Sequence, residues 1–172
     1  MSARAPRPYA DPYLTGVRLG LVLLAAFVLV GRGLGASGAF ATAAATAVHA
    51  AAPDAARANA FFADHLDAGG LLRDWLVVEV IGVAIGGFAS AALAGRLRLT
   101  VDRGPRTSVS ERVLLAAGGG AVMGAGAVFA RGCTSGQALT GGALLSVGSW
   151  VFVGGAFAAA YGAAWALRRV WT

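Results

Sequence analysis

Lysine is missing from this chain: all fourteen of its basic residues are arginine, set against eight acidic ones. Charge of either sign is scarce, at 13% of residues, where a soluble domain carries about 25%. A single cysteine excludes an intrachain disulfide and a multi-cysteine metal site. The two histidines, His49 and His65, have no second ligand at a useful spacing, so they read as loop or surface residues. No glycine-rich phosphate loop is present, which argues against direct drive by ATP. No soluble stretch is large enough to hold a duplex, so the net charge of +6 does not point to nucleic acid. The basic residues form no patch; they lie between apolar runs, as expected of cytoplasmic loops facing lipid headgroups.

What is abundant is apolar and small. Hydrophobic residues make up 58% of the 172, with mean hydropathy +0.70 and 26 glycines. The pattern predicts an all-α integral membrane protein with a single membrane domain over 14–172, behind a polar tail at 1–13 that reads as disordered. Four spans are expected, at 14–31, 75–95, 113–130 and 148–167. A cleaved signal peptide is the rival reading of the first. Against it, the segment has a counterpart later in the chain. Residues 32–50 are too short and too polar at their start to cross, and predict a half-helix entering from about Ser37. Residues 138–147 predict a second half-helix. Residues 51–73 read as an exposed loop with a short interfacial helix around Phe61-Phe62. Gly82/Gly86 and Gly120/Gly124 have the small-xxx-small spacing that lets helices approach closely.

Arginine clusters in the N-terminal tail, in 96–112 and at the C-terminus, whereas 51–73 is acidic on balance. The positive-inside rule then places both termini and the 96–112 loop in the cytoplasm. That requires 32–50 and 131–147 to dip in and return. The chain thus reads as two parallel repeat halves, about 14–95 and 113–169. Each has a span, a polar glycine break, a half-helix and a returning span. Arg32-Gly33 before Ser37-Gly38 matches Arg131-Gly132 before Ser135-Gly136, and paired breaks of this kind point to a transport site.

The second break concentrates the chemistry. Arg131, Gly132, Cys133, Thr134, Ser135, Gly136 and Gln137 place a charge, a thiol, two hydroxyls and an amide in an apolar half. Polar backbone at membrane depth survives only where protein or a water-filled cavity satisfies it. Gly132 and Gly136 are expected to permit the turn, and Thr134 or Ser135 to cap the following half-helix. The helix start favours an anion, and Arg131 adds a full positive charge. A helix N-terminus pulls a thiol towards thiolate, but apolar walls oppose this. Cys133 therefore reads as a neutral S–H facing a path more readily than as a nucleophile, with buried filler as the plainer alternative. Glu79, one turn inside a span, reads as a partner of Arg32, Arg131 or Arg73, or as a proton-coupling group. Ser149-Trp150 reads as an interfacial anchor.

On Arg131-Gly132-Cys133-Thr134-Ser135-Gly136-Gln137, Leu139-Thr140-Gly141-Gly142 and Ser146-Val147-Gly148-Ser149-Trp150, the chain resembles the YeeE/YedE-type sulfur transporter family. Gly31 to Phe40 carries a weaker version of the likeness. The resemblance implies uptake of thiosulfate or a related sulfur compound, loops dipping to the protein centre, and motif cysteines that contact substrate. That role falls here on Cys133 alone. Larger family members have about twice this architecture and several path cysteines. The expectation is therefore a half-size transporter or channel subunit, not an enzyme and without a cofactor. It would work as a homodimer or with a related small subunit, in a bacterial inner membrane. Its substrate path would take in Arg32, Ser37, Gly38, Glu79 and the break at 131–137. The alternatives are a membrane protein that carries persulfide on Cys133 to a rhodanese-like sulfur carrier, and an assembly subunit that transports nothing.

Overall fold

The computed structural model describes residues 7–66, 71–105 and 107–168; Arg4, Asp67, Arg106 and Arg169 lie outside them. The described residues are helices and connecting turns, in two compact units, Met1–Arg98 and Leu99–Thr172.

In the first unit, α1 spans Pro12–Val30. Asp11 starts it by accepting from the Tyr13 and Leu14 amides at 2.9 and 3.1 Å, with Pro12 at the first helical position. Gly31, at φ 72°, ends it in the left-handed cap that glycine adopts freely. The helix is apolar all round, as a lipid-facing span should be. α2 runs Ser37–Ala51 and buries Ala39, Thr42 and Ala45 along one face. That face packs against α3 (Pro53–Ala58), α4 (Ala60–Leu66) and α5 (Trp75–Leu93). Residues 53–66 and 71–73 are therefore short helices packed on α2 and α5 and not an open loop. Ala56 is fully buried, and Phe61 meets Phe62 edge-on on α4. Asp74 caps α5 through the Leu76 amide at 3.0 Å and ties in α2 through the Thr42 hydroxyl at 2.6 Å.

Residues 7–13 are more ordered than a free tail. The Arg7 amide donates to the Ala94 carbonyl at 3.1 Å, Arg96 returns a bond to the Arg7 carbonyl, and the Arg96 guanidinium lies over the Tyr9 ring. The start of α1 and the end of α5 are therefore at the same end of this unit.

In the second unit, α6 spans Val109–Phe129, four residues earlier at its start than the hydropathy suggests. Ser108 and Glu111 form a capping box, which draws the polar Glu111 and Arg112 into the first turn. A break and a wide π-wound turn over Ser135–Gly141 lead to α7 at Val147–Ala166. α1, α5, α6 and α7 are each long and apolar enough to cross a membrane. A Cβ at Gly82, Gly86, Gly120 or Gly124 would meet nothing within 4 Å, so no neighbour within its own unit uses these glycines for close packing.

Candidate functional site

The break in the second unit is built by its backbone first. α6 ends in a Schellman motif: the Arg131 amide bonds the Val128 carbonyl at 3.1 Å, and the Gly132 amide bonds Ala127 at 2.9 Å. The motif needs a left-handed residue. Arg131 supplies it at φ 53°, where glycine is usual. The next helix begins at once, with the Gln137 amide bonding the Cys133 carbonyl at 2.8 Å. It widens into π winding over Ser135–Gly141 and ends in a second Schellman motif. There Leu145, at φ 55°, is the left-handed residue, with bonds from Leu145 to Gly142 and from Ser146 to Gly141, both 3.0 Å. Arg131 and Leu145 are the two non-glycine residues with positive φ among those described, and they bracket this helix. Each costs about 1–2 kcal/mol relative to right-handed backbone, and such residues cluster at functional sites. The short helix thus starts about four residues before the 138–147 expected from hydropathy, because the turn is made at Arg131 and not at the glycines.

The glycines serve close approach instead. A Cβ on Gly132 would lie 3.3 Å from Cγ of Gln137. This lets the Gln137 side chain reach back across the break and donate to the Ala130 carbonyl at 2.7 Å. Its other end, Oε1, accepts from the Ser149 hydroxyl at 3.2 Å. Ser149 is 1% exposed, so it braces the short helix against α7 and is not an interfacial anchor. Gly141 leaves the room Ser149 occupies; a Cβ there would collide with Oγ. Cys133 is half-buried, and its sulfur lies 3.1 Å from the Ser135 hydroxyl. Neither Ser135 nor Thr134 caps the helix as expected. Ser135 is turned to the thiol, and Thr134 is exposed with no side-chain bond to the backbone. Arg131 is exposed and Gly136 half-buried.

The first unit has a break of its own. Arg32 follows the Gly31 cap and is exposed. The Trp75 indole donates to the Gly33 carbonyl at 3.3 Å. Both carboxylate oxygens of Glu79 receive the Gly35 amide, at 3.2 and 3.1 Å. Glu79 therefore holds backbone, and not Arg32 or Arg73 as the sequence suggested: a free N–H at a break is a closer partner than a side chain that can reach water. Ser37 opens α2, and Gly38 sits where the Leu76 side chain would meet any Cβ.

Sequence reasoning quoted Gly141 and Ser149 among the motif residues without giving them a bracing role, and it missed the Trp75–Gly33 and Thr42–Asp74 bonds.

Four helices long and apolar enough to cross a membrane, with polar breaks between them, mark a multi-pass helical membrane protein. A family model described as sulphur transport matches residues 3–162, and the chain belongs to that family, the YeeE/YedE sulfur transporters. The family points to a transporter rather than an enzyme. Neither a curated protein nor a solved structure gave a significant match.

Proposed function

We propose that the chain is a transporter or channel subunit for thiosulfate or a closely similar sulfur anion, and that the substrate passes the break at Arg131–Gln137. The observation that carries this reading is the Cys133 sulfur 3.1 Å from the Ser135 hydroxyl at the start of a helix, two residues after the left-handed Arg131. The first amides of a helix have no carbonyl of their own turn to bond, and with the helix dipole they favour an anion. Arg131 supplies the full charge that attracts it. In the thiol–hydroxyl pair one group donates to the other, which leaves one weak donor for the substrate, enough to select without holding. Gln137 and Ser149 keep the break open by satisfying the Ala130 carbonyl within the protein. The break at 31–36, tied by Trp75 and Glu79, is its counterpart in the first repeat half. Arg32, Ser37 and Gly38 belong to that half of the path.

Both termini and the 96–112 loop face the cytoplasm of the inner membrane in this reading. The arginine distribution favours it, and the contact of Arg7 with Ala94 agrees. A single thiol per chain leads to the further proposal that a second copy, or a related small subunit, completes the path.

Uptake of labelled thiosulfate into vesicles carrying the wild type or Cys133→Ala tests the assignment. The expected result is uptake by the wild type and its loss in the variant. Unchanged uptake by Cys133→Ala would remove the thiol from the path. A wild type that takes up nothing while Cys133 carries a persulfide, detected by mass spectrometry, would replace transport with sulfur carriage.

A further inference from the structure

The helical cap of the first unit holds a pocket that the break at Cys133 does not account for. It has a volume of about 310 Å³ and is lined by Thr42, Thr46 and His49 of α2, Arg57 of α3, His65 and Leu66 of α4, and Leu71. That is the lower end of the size range of small-molecule sites. Both histidines of the chain are here, although they are sixteen residues apart in sequence. Arg57 brings a permanent positive charge in planar, forked geometry suited to an oxyanion.

The imidazoles are held in defined states. Nδ1 of His49 is buried and has no hydrogen-bond partner. Orphaned buried N–H groups are rarer than orphaned acceptors, so the ring proton belongs on Nε2. Nδ1 of His65 lies 2.8 Å from the Phe61 carbonyl, an acceptor, and therefore carries a proton. That bond fixes the ring and leaves its Nε2 a lone pair, an acceptor. The Thr42 and Thr46 hydroxyls are committed, to Asp74 and to the Thr42 carbonyl, so they shape the α2 wall without competing for a ligand. Among the described residues no group of three or more His, Cys, Asp or Glu could hold a metal ion. The Arg57 guanidinium, with the Nε2–H of His49, favours an anion over a cation.

We propose that this pocket binds a small tetrahedral oxyanion, held by Arg57 and the Nε2–H of His49, with the ring of His65 closing the wall beside it. The inference rests on the transport reading only for the choice of thiosulfate as the first probe. The same chemistry could reach the pocket as a free sulfur oxyanion or as a lipid phosphate.

Because both histidines line the pocket, their ring carbons report on it alone. The full-length protein, labelled with ¹³C-histidine, is titrated with thiosulfate in detergent while the histidine NMR signals are followed. The expected result is a saturable shift of both signals. Its midpoint rises about tenfold or more in Arg57→Gln, in line with loss of a charge-assisted bond, while Cys133→Ala keeps the shift. Thermal melting checks that Arg57→Gln remains folded. In nanodiscs of phosphatidylcholine, continued displacement by thiosulfate identifies the free anion as occupant. Signals already shifted by the lipid, and unmoved by thiosulfate, identify lipid phosphate. Histidine signals unmoved by both probes, or shifts unaltered in a folded Arg57→Gln, would overturn the site. Loss of uptake in Cys133→Ala with the shift retained would separate this pocket from the transport path.

Discussion

Gln137 reaches seven residues back to hold the Ala130 carbonyl at 2.7 Å, so the residue that begins the break is secured by a side chain from the helix that ends it. The contact explains how a chain can leave α6, turn and re-enter a helix within a few residues without stranding polar backbone in an apolar setting. It also makes Gln137 the point where the backbone of the break, the short helix and Ser149 of α7 meet.

Gln137→Leu should therefore cost about 1–3 kcal/mol, because it leaves the Ala130 carbonyl and the Ser149 hydroxyl without partners in a partly buried place. Ser149→Ala alone should cost less, about 0.5–1.5 kcal/mol, since Gln137 keeps its bond to Ala130. The double variant should be less destabilised than the sum, because the two share one bond. Thermal unfolding in detergent measures all three; strict additivity would show that the Ser149–Gln137 bond carries no coupling.

Arg131 and Leu145 occupy backbone that glycine tolerates better. Leu145→Gly should be neutral to stabilising by up to about 1 kcal/mol, and Leu145→Val, β-branched, should destabilise by more than about 1 kcal/mol. Arg131→Gly should likewise fold well but lose thiosulfate uptake, since it removes the charge at the break. Melting temperature and uptake, measured on the same preparations, separate the two effects. An Arg131→Gly protein that melts normally and transports normally would limit Arg131 to a backbone role.

Glu79 is bonded to the Gly35 amide through its carboxylate oxygens. Glu79→Gln keeps an acceptor and should retain most of the stability and most of the uptake. Glu79→Ala removes the tie, leaves the amide unsatisfied, and should lower the unfolding temperature through a loss of about 1–3 kcal/mol. If Glu79→Gln abolishes uptake as fully as Glu79→Ala while melting like the wild type, proton coupling and not positioning is its function.

Much of this protein is legible without coordinates. Hydropathy over about twenty residues reports directly on the solvent a helix needs, and this placed all four spans near their observed bounds. The motif from Arg131 to Gln137 stood out because polar groups are rare and costly in such a chain. The caps at Asp11-Pro12 and at Ser108 to Glu111 were passed over by hydropathy, so α1 and α6 begin before the spans it marks. Contacts between residues far apart along the chain were not legible. Glu79 faces three arginines in sequence logic, yet it holds the Gly35 amide, forty-four residues away. The hydrophilic run at 51–73 reads as a loop, yet its residues 53–66 form α3 and α4, which fold onto α2, where Ala39, Thr42 and Ala45 are buried.

Composition and hydropathy thus determined the class of protein and where its long apolar helices run, because those depend on local solvation. Tertiary structure decided who satisfies whom. The left-handed turn fell on Arg131 and not on a glycine, Ser149 became a brace, and the two histidines met across α2 and α4. Each depends on where an unpaired backbone or ring group comes to rest, which the order of residues along the chain does not encode locally.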